Sequence, residues 1–116
     1  MGRLTTHVLD TASGKPAAGL KIDLHYWEAD GWKLMKKIIT NADGRADEPL
    51  LEGAALVAGD YRLTFKVGDY FEKLKSADAK KFLNRVPIDF TIHDASAHYH
   101  VPLLCSPWAY STYRGS

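Results

Sequence analysis

Two histidines stand two positions apart near the end of this 116-residue chain, in the run His98-Tyr99-His100. Residues two apart on a β-strand point to the same face of the sheet, so both imidazoles would leave the strand on one side. A third histidine, His7, lies in the β-branched and apolar segment that opens the chain. If these two segments are neighbouring strands, we expect three imidazoles to lie on one face.

Such a group of imidazoles supports two kinds of chemistry. A His-x-His pair with a third histidine can bind zinc, which lowers the pKa of a bound water towards ~7 and supplies hydroxide. Without a metal, an imidazole with a reference pKa of about 6.5 can take a proton in one step and return it in the next. Two histidines then suffice to activate water and to protonate a departing nitrogen. The spacing of His7, His98 and His100 permits both mechanisms.

An arginine stands directly after a predicted turn, because Arg45 follows Asn41-Ala42-Asp43-Gly44. A guanidinium on a loop can hold an anionic or carbonyl-rich substrate through two parallel hydrogen bonds. An arginine beside a turn is more often an exposed surface residue, so Arg45 alone does not decide between these interpretations.

The last nineteen residues carry more functional chemistry than an ordinary chain end. After the two-histidine segment come Ser106-Pro107, the three aromatic residues Trp108, Tyr110 and Tyr113, an arginine and Ser116. Terminal residues are usually poorly ordered unless something ties them down. We interpret residues 98–116 as a hairpin that carries half of an active site.

The elements that must position these residues are mostly strands, because apolar and polar residues alternate with a period of two along much of the chain. A short helix is predicted from Ser76, a possible cap, to about Leu83. Asp30-Gly31 is predicted to supply the positive φ angles of a hairpin turn, and Leu50 to Val57 has no clear pattern. The predicted strands are Leu4–Asp10, Leu20–Trp27, Trp32–Thr40, Tyr61–Val67, Ile88–Ile92, His98–Leu104 and Trp108–Arg114. Seven or eight short strands with one helix indicate an all-β fold, a two-sheet β-sandwich.

Length and composition predict one domain over residues 1–116, since the chain is large enough for a single core and too short for two. A net charge of +1 gives no reason to expect nucleic acid or a membrane surface as a partner, so we expect a small molecule. With no export signal, the cytoplasm is the expected compartment. The only cysteine, Cys105, cannot form an intrachain disulfide and is expected to fill a buried strand position.

Six segments together resemble the transthyretin-related 5-hydroxyisourate hydrolases. They are Leu4–Asp10, Gly44-Arg45, Gly59–Arg62, Gly68–Phe71, His98–Leu104 and Tyr113–Ser116. The terminal Tyr-Arg-Gly-Ser is the most diagnostic of them, because transthyretin itself is similar in fold but lacks this ending and these histidines. The resemblance extends from about residue 4 to the last residue.

The resemblance implies a prealbumin-type sandwich of about eight strands with one short helix, assembled as a homotetramer around a central channel. The implied reaction opens the ring of 5-hydroxyisourate to give 2-oxo-4-hydroxy-4-carboxy-5-ureidoimidazoline in urate catabolism. The implied catalytic residues are His7, Arg45, His98 and Ser116, and His7, Arg45 and Tyr113 would bind the substrate. The family works without a metal cofactor, so the resemblance favours the metal-free mechanism.

Two other functions remain open at this point. One is a non-catalytic, transthyretin-like carrier that binds a hydrophobic aromatic ligand in the same channel. The other is a zinc-dependent hydrolase that uses His7, His98 and His100. The side chains that line the site distinguish the carrier from the enzyme, since a carrier would present aliphatic and hydroxyl groups where this chain has histidine and arginine.

Overall fold

The computed structural model describes residues 1–116, which form two β-sheets and one short α-helix. The elements are β1 Arg3–Asp10, β2 Lys15–Pro16, β3 Lys21–Glu28, β4 Gly31–Ile39, β5 Leu51–Glu52, β6 Gly59–Phe65, α1 Val67–Lys73, β7 Val86–Ile92, β8 His98–Cys105 and β9 Tyr110–Thr112. The first sheet has the order β2-β1-β8-β9, and β5 also pairs with β1. The second sheet has the order β4-β3-β6-β7. The predicted all-β sandwich is therefore confirmed.

The strands β1 and β8 are parallel neighbours, so the two histidine-bearing segments do lie side by side. In this pairing Arg3 lies opposite His98, Thr5 opposite His100, and His7 opposite Pro102. Paired residues share a face, so all three histidines lie on the same side of the sheet, as expected. The other side of both strands is buried.

The core forms where the alternating residues of the two sheets meet. One cluster of 21 buried residues fills this layer, and Leu4, Val8 and Leu103 from the β1–β8 pair are fully inaccessible to solvent. Burying a leucine or valine side chain stabilises a fold by about 1.5–3 kcal/mol. Cys105 is also fully buried and is a free thiol, which confirms its predicted role. Burial, helped by the nearby Asp10 carboxylate, raises the pKa of this thiol to about 12.

The predicted helix from Ser76 to Leu83 is wrong, because that segment is a series of turns. The Oγ of Ser76 does accept a hydrogen bond from the Asp78 backbone N–H at 3.3 Å, as a capping residue would. However, Lys80 has a φ angle of 62°, which a right-handed helix does not allow.

The helix lies earlier in the chain, at Val67–Lys73. Its apolar residues recur at spacings of three and four, which places them on one buried face; they are Val67, Tyr70 and Phe71. Asp69 in the first turn and Lys73 in the last have the charges that suit a helix dipole. No helix in the protein combines the length and the apolar character needed to cross a membrane.

Some predicted boundaries also differ from the structure. The positive φ angle of the β3–β4 hairpin turn belongs to Ala29, at 59°, and not to Asp30-Gly31. The last strand covers only Tyr110–Thr112. It begins after Ala109 because the Ser106 Oγ accepts hydrogen bonds from the backbone N–H groups of Trp108 and Ala109 and holds them in a turn. The short strands β2 and β5 lie in segments that were predicted to have none.

Candidate active site

An open cleft of about 540 Å³ lies on the face of the β1–β8 pair that points away from the core. Strands β1 and β8 and the loop after Gly44 form its walls. Most lining side chains are polar or charged; the lining residues are Arg3, Thr5, Thr6, Arg45, Ala46, Asp47, Glu48, Pro49, His98, His100 and Ser116. Three of the predicted catalytic residues, Arg45, His98 and Ser116, are therefore brought together.

The backbone around Arg45 is fixed by a tight turn. Gly44 has a φ angle of 74°, and a Cβ atom at this position would collide with the Val8 carbonyl oxygen. The close approach allows the Val8 N–H to donate to the Gly44 carbonyl at 2.8 Å. The Arg45 N–H donates to Asn41 Oδ1 at 3.1 Å, and the Arg45 backbone pairs with that of His7. The exposed guanidinium therefore projects from a well-anchored position.

His100 is held in the cleft by a side chain of the neighbouring strand. Its Nδ1 atom lies 2.8 Å from Oγ1 of Thr5, the residue directly opposite on β1, and this contact leaves Nε2 available. Partial burial lowers the pKa of His100 below its usual 6.5, and the charges of Arg45 and His7 lower it further. A histidine with a lowered pKa is neutral near pH 7, so it can accept a proton from water.

His98 lines the same cleft in a different environment. Its side chain is exposed and makes no hydrogen bond within the chain, and its neighbour on β1 is Arg3. The family resemblance implies His7 and His98 as the catalytic histidines without assigning base and acid, and it leaves His100 out of the catalytic set. The two histidines differ in the residue opposite each, which is Arg3 for His98 and Thr5 for His100. These neighbours depend on the register of β1 against β8, which the sequence alone does not show.

His7 lies beside the cleft and not among its lining residues. It is half-buried on the same face as Thr5, and its charge is close enough to lower the pKa of His100. Arg3 lies opposite His98, so His7 and His98 are offset by four residues, or about 13 Å along the strands. No three His, Cys, Asp or Glu side chains form a group that could hold a metal ion, so the zinc set His7, His98 and His100 is not assembled.

The chain end is bound to β8 and reaches the cleft, in keeping with the predicted hairpin. The Gly115 N–H donates to the His100 carbonyl at 2.7 Å. The Arg114 guanidinium lies 4.5 Å from the centre of the Tyr99 ring and donates to the His98 carbonyl at 3.1 Å. These contacts place Ser116 in the cleft with His100 and Arg45.

Tyr113 is not brought to the cleft within one chain. Its side chain is 62% exposed and lines a separate, more apolar groove at the edge of the sandwich. This groove runs between β7 and β9 and includes Ile88, Phe90 and Val101. The predicted site residues therefore fall into two groups on different surfaces of the chain.

Known proteins resemble this chain over its whole length. The family described as the HIUase/Transthyretin family matches residues 4–115. The 5-hydroxyisourate hydrolase 2 of Rhizobium meliloti (strain 1021) is 58% identical over 119 residues, which cover 99% of this chain and 97% of that protein.

Two solved structures show the same fold. The 5-hydroxyisourate hydrolase of Klebsiella pneumoniae has a TM-score of 0.82 and 36% identity, with all of both chains covered. A crystal structure of (S)-allantoin synthase has a TM-score of 0.93 and 43% identity, and the match covers 99% of this chain but 44% of that longer one. With the matched family, the near full-length relative and the shared sandwich in agreement, the chain belongs to the HIUase/Transthyretin family.

Proposed function

We propose that this protein hydrolyses 5-hydroxyisourate to 2-oxo-4-hydroxy-4-carboxy-5-ureidoimidazoline, a step of urate catabolism, and that the reaction takes place in the cleft between β1 and β8. The names of the full-length relatives support the reaction. The observation that carries the assignment to the cleft is the environment of His100. Its imidazole is held by Thr5, flanked by Arg45 and His7, and shares the cleft with Ser116.

The chemistry needs a group that first removes a proton and then returns it. Neutral His100 accepts a proton from water at Nε2 while the water oxygen forms a bond to a ring carbonyl carbon of the substrate. The carbon–nitrogen bond of the ring then breaks, and the imidazolium returns the proton to the departing nitrogen. Proton transfer by a positioned side chain contributes about 10²–10⁴-fold to a rate.

The other residues of the cleft stabilise the negative charge that develops on the substrate, or they orient the substrate. The Arg45 guanidinium hydrogen-bonds to the carbonyl oxygen, where negative charge develops as water attacks. His7 supplies a second imidazole beside His100, and the Ser116 hydroxyl binds the substrate in the same cleft. His98, whose side chain is exposed, makes a polar contact to the substrate and does not transfer the proton.

The protein assembles as a homotetramer in this proposal, and a neighbouring copy supplies Tyr113 to the substrate site. Two observations support the assembly: Tyr113 is 62% exposed away from its own cleft, and β9 and β7 are edge strands with unpaired backbone groups. Light scattering on the purified protein tests the assembly, because a mass near four times 12.9 kDa is expected and a monomer would contradict it.

The cytoplasm is the compartment proposed for the protein. Its only cysteine, Cys105, is a buried free thiol, which suits a reducing environment. Activity in the cytosolic fraction of the source cells is the expected result.

The carrier alternative fits the cleft less well. A carrier of hydrophobic aromatic ligands needs a mainly apolar pocket, and this cleft is lined mostly by arginine, histidine, carboxylate and hydroxyl groups. The zinc alternative lacks an assembled set of ligands.

The function is tested by following the ultraviolet spectrum of freshly generated 5-hydroxyisourate with and without the purified protein. We expect the substrate to disappear much faster with the protein, at a rate proportional to protein concentration. The product should match the ureidoimidazoline by NMR, and dialysis against a chelator should leave the rate unchanged. A rate equal to that in buffer would refute the proposal.

A further inference from the structure

We infer that Thr5 is a positioning residue, whose hydroxyl holds Nδ1 of His100 so that Nε2 faces the cleft as the proton-accepting atom. This inference rests on the proposed function, since it assigns a role within the same site. Thr5 acts through His100 and not on the substrate carbonyl.

The geometry that carries the inference is a cross-strand contact. Thr5 and His100 are direct partners in the parallel β1–β8 pair, and Thr5 Oγ1 lies 2.8 Å from His100 Nδ1. The Thr5 hydroxyl makes no other hydrogen bond within the chain. The next residue, Thr6, donates from its hydroxyl to the Val101 carbonyl at 2.8 Å on the buried side. A shift of one residue would expose that buried face, so the register that joins Thr5 to His100 is fixed.

The hydrogen-bonding capacities of the two groups assign the tautomer that the reaction needs. If the Thr5 hydroxyl accepts a hydrogen bond from Nδ1–H, the Nε2 atom carries a free lone pair. When Nε2 takes a proton, both ring nitrogens become donors, and the hydroxyl continues to accept from Nδ1. If the hydroxyl donated instead, Nε2 would already carry its hydrogen. The accepting arrangement therefore serves His100 before and after proton transfer without rotation of the ring.

The opposite edge of the imidazole is also restrained. A Cβ atom built on Gly115 would lie 2.5 Å from Cδ2 of His100, so the glycine backbone lies directly against this edge. Cδ2 is bonded to Nε2, so Thr5 and Gly115 hold the ring from its two sides. Threonine suits this role because its β-branched side chain is stiff at χ1 on a strand.

Other charged and titratable groups near His100 would affect a pH profile. They come from each element around the cleft: Arg3 and His7 of β1, His98 of β8, and Arg45, Asp47 and Glu48 of the loop. The test therefore compares variants that keep all of these groups and change only the Thr5 hydroxyl.

The variants are Thr5→Val, which keeps the shape and removes the hydroxyl, and Thr5→Ser, which keeps the hydroxyl. For Thr5→Val we expect kcat to fall by about 10- to 100-fold, less than the 10²–10⁴-fold that loss of the histidine itself would cost. We expect KM to stay within about twofold, because Thr5 does not hold the substrate. Thr5→Ser should restore kcat to within several-fold of wild type. Thr64→Val, which removes a hydroxyl on the central strand β6 of the other sheet, should leave kcat unchanged.

The decisive readout is the ¹⁵N NMR signal of the His100 ring, which requires no substrate. Wild type should show the hydrogen on Nδ1, and Thr5→Val should show a mixture of tautomers and a displaced titration. The inference would be overturned if the wild-type ring carried its hydrogen on Nε2. It would also be overturned if Thr5→Val and wild type gave the same NMR signals and the same kcat. Should Thr5→Val not fold, the wild-type tautomer and the Thr5→Ser activity still decide the question. If wild type shows the expected tautomer but does not hydrolyse 5-hydroxyisourate, the proposed function fails and the positioning contact stands.

Discussion

Gly115 lies against the imidazole of His100, and this contact joins the chain end to the proposed catalytic residue. The Gly115 N–H donates to the His100 carbonyl at 2.7 Å. A Cβ atom added to Gly115 would lie 2.5 Å from Cδ2 of the His100 ring. A glycine is therefore required here by close approach to His100. The Tyr-Arg-Gly-Ser ending thus shapes the site through its backbone as well as through Ser116.

Replacing Gly115 with alanine should displace the His100 ring. We expect Gly115→Ala to lower kcat by at least about tenfold, because a small misplacement of a catalytic group has a large effect on rate. The thermal transition should change little, since the segment is at the surface. Gly31→Ala is the matched control, because Gly31 has open space around it and no positive φ angle. Equal activity in Gly115→Ala and wild type would show that the ring tolerates the shift.

The activity should depend on the planar shape of the Arg45 guanidinium as well as on its charge. Arg45→Lys keeps the charge but loses the planar pair of donors. We expect kcat to fall by about 10²-fold or more, the usual effect of removing a donor to a developing oxyanion. Arg62→Lys, which alters a guanidinium paired with Asp89 on the other sheet, should leave kcat unchanged. Steady-state kinetics on both variants would contradict the assignment if Arg45→Lys were as active as Arg62→Lys.

The pH profile should follow the lowered pKa of His100. The base works only in its neutral form, so kcat/KM should be constant near pH 7 and should fall as the pH drops through a value below 6.5. Removing the nearby charge in His7→Asn should move this acidic limb to higher pH, because that charge lowers the pKa of His100. A limb of the wild-type profile above pH 6.5 would be inconsistent with His100 as the base.

The lowered pKa of His100 also makes the free energy of unfolding depend on pH. Between the folded-state pKa and 6.5 the unfolded chain binds more protons at this residue than the folded chain does. His100 therefore makes the fold less stable as the pH falls through this window. Urea denaturation of wild type and His100→Asn between pH 7 and pH 5 should show the steeper loss of unfolding free energy for wild type.

A buried pair outside the cleft should affect stability alone. The Tyr70 hydroxyl donates to Oδ2 of Asp10 at 2.9 Å, and Asp10 is only 1% exposed. Tyr70→Phe leaves this carboxylate oxygen without that donor, so we expect a loss of about 1–3 kcal/mol of unfolding free energy. Tyr110→Phe, at an exposed position, should cost less than about 0.5 kcal/mol. Chemical denaturation of the two variants measures the difference, and equal stabilities would show that the Tyr70–Asp10 hydrogen bond does not stabilise the fold.

The sequence pattern predicted the sandwich because period-two alternation reports directly which side of a strand is buried. It also placed His98 and His100 on one face for the same reason. It did not locate the helix, since Ser76 has a capping hydrogen bond without a buried face behind it, whereas Val67, Tyr70 and Phe71 are packed. Tertiary packing decided the position of the helix.

The proposal that His100 and not His98 is the base rests on contacts that a single sequence does not show. The register of β1 against β8 sets Thr5 beside His100 and Arg3 beside His98. The return of the chain end sets Gly115 against the His100 ring. Both are contacts between residues far apart in the chain, so alternation within one strand could not reveal them.

Comparing His98→Asn with His100→Asn shows which histidine of β8 transfers the proton. Asparagine can keep a donor near the Nδ1 position but cannot exchange protons as imidazole does, so both variants should remain folded. Initial rates of 5-hydroxyisourate loss, measured at pH 7 against wild type, should fall by about 10²–10⁴-fold for His100→Asn and by less than about tenfold for His98→Asn. The opposite order, with His98→Asn inactive and His100→Asn active, would contradict the proposed role of His100 as the base.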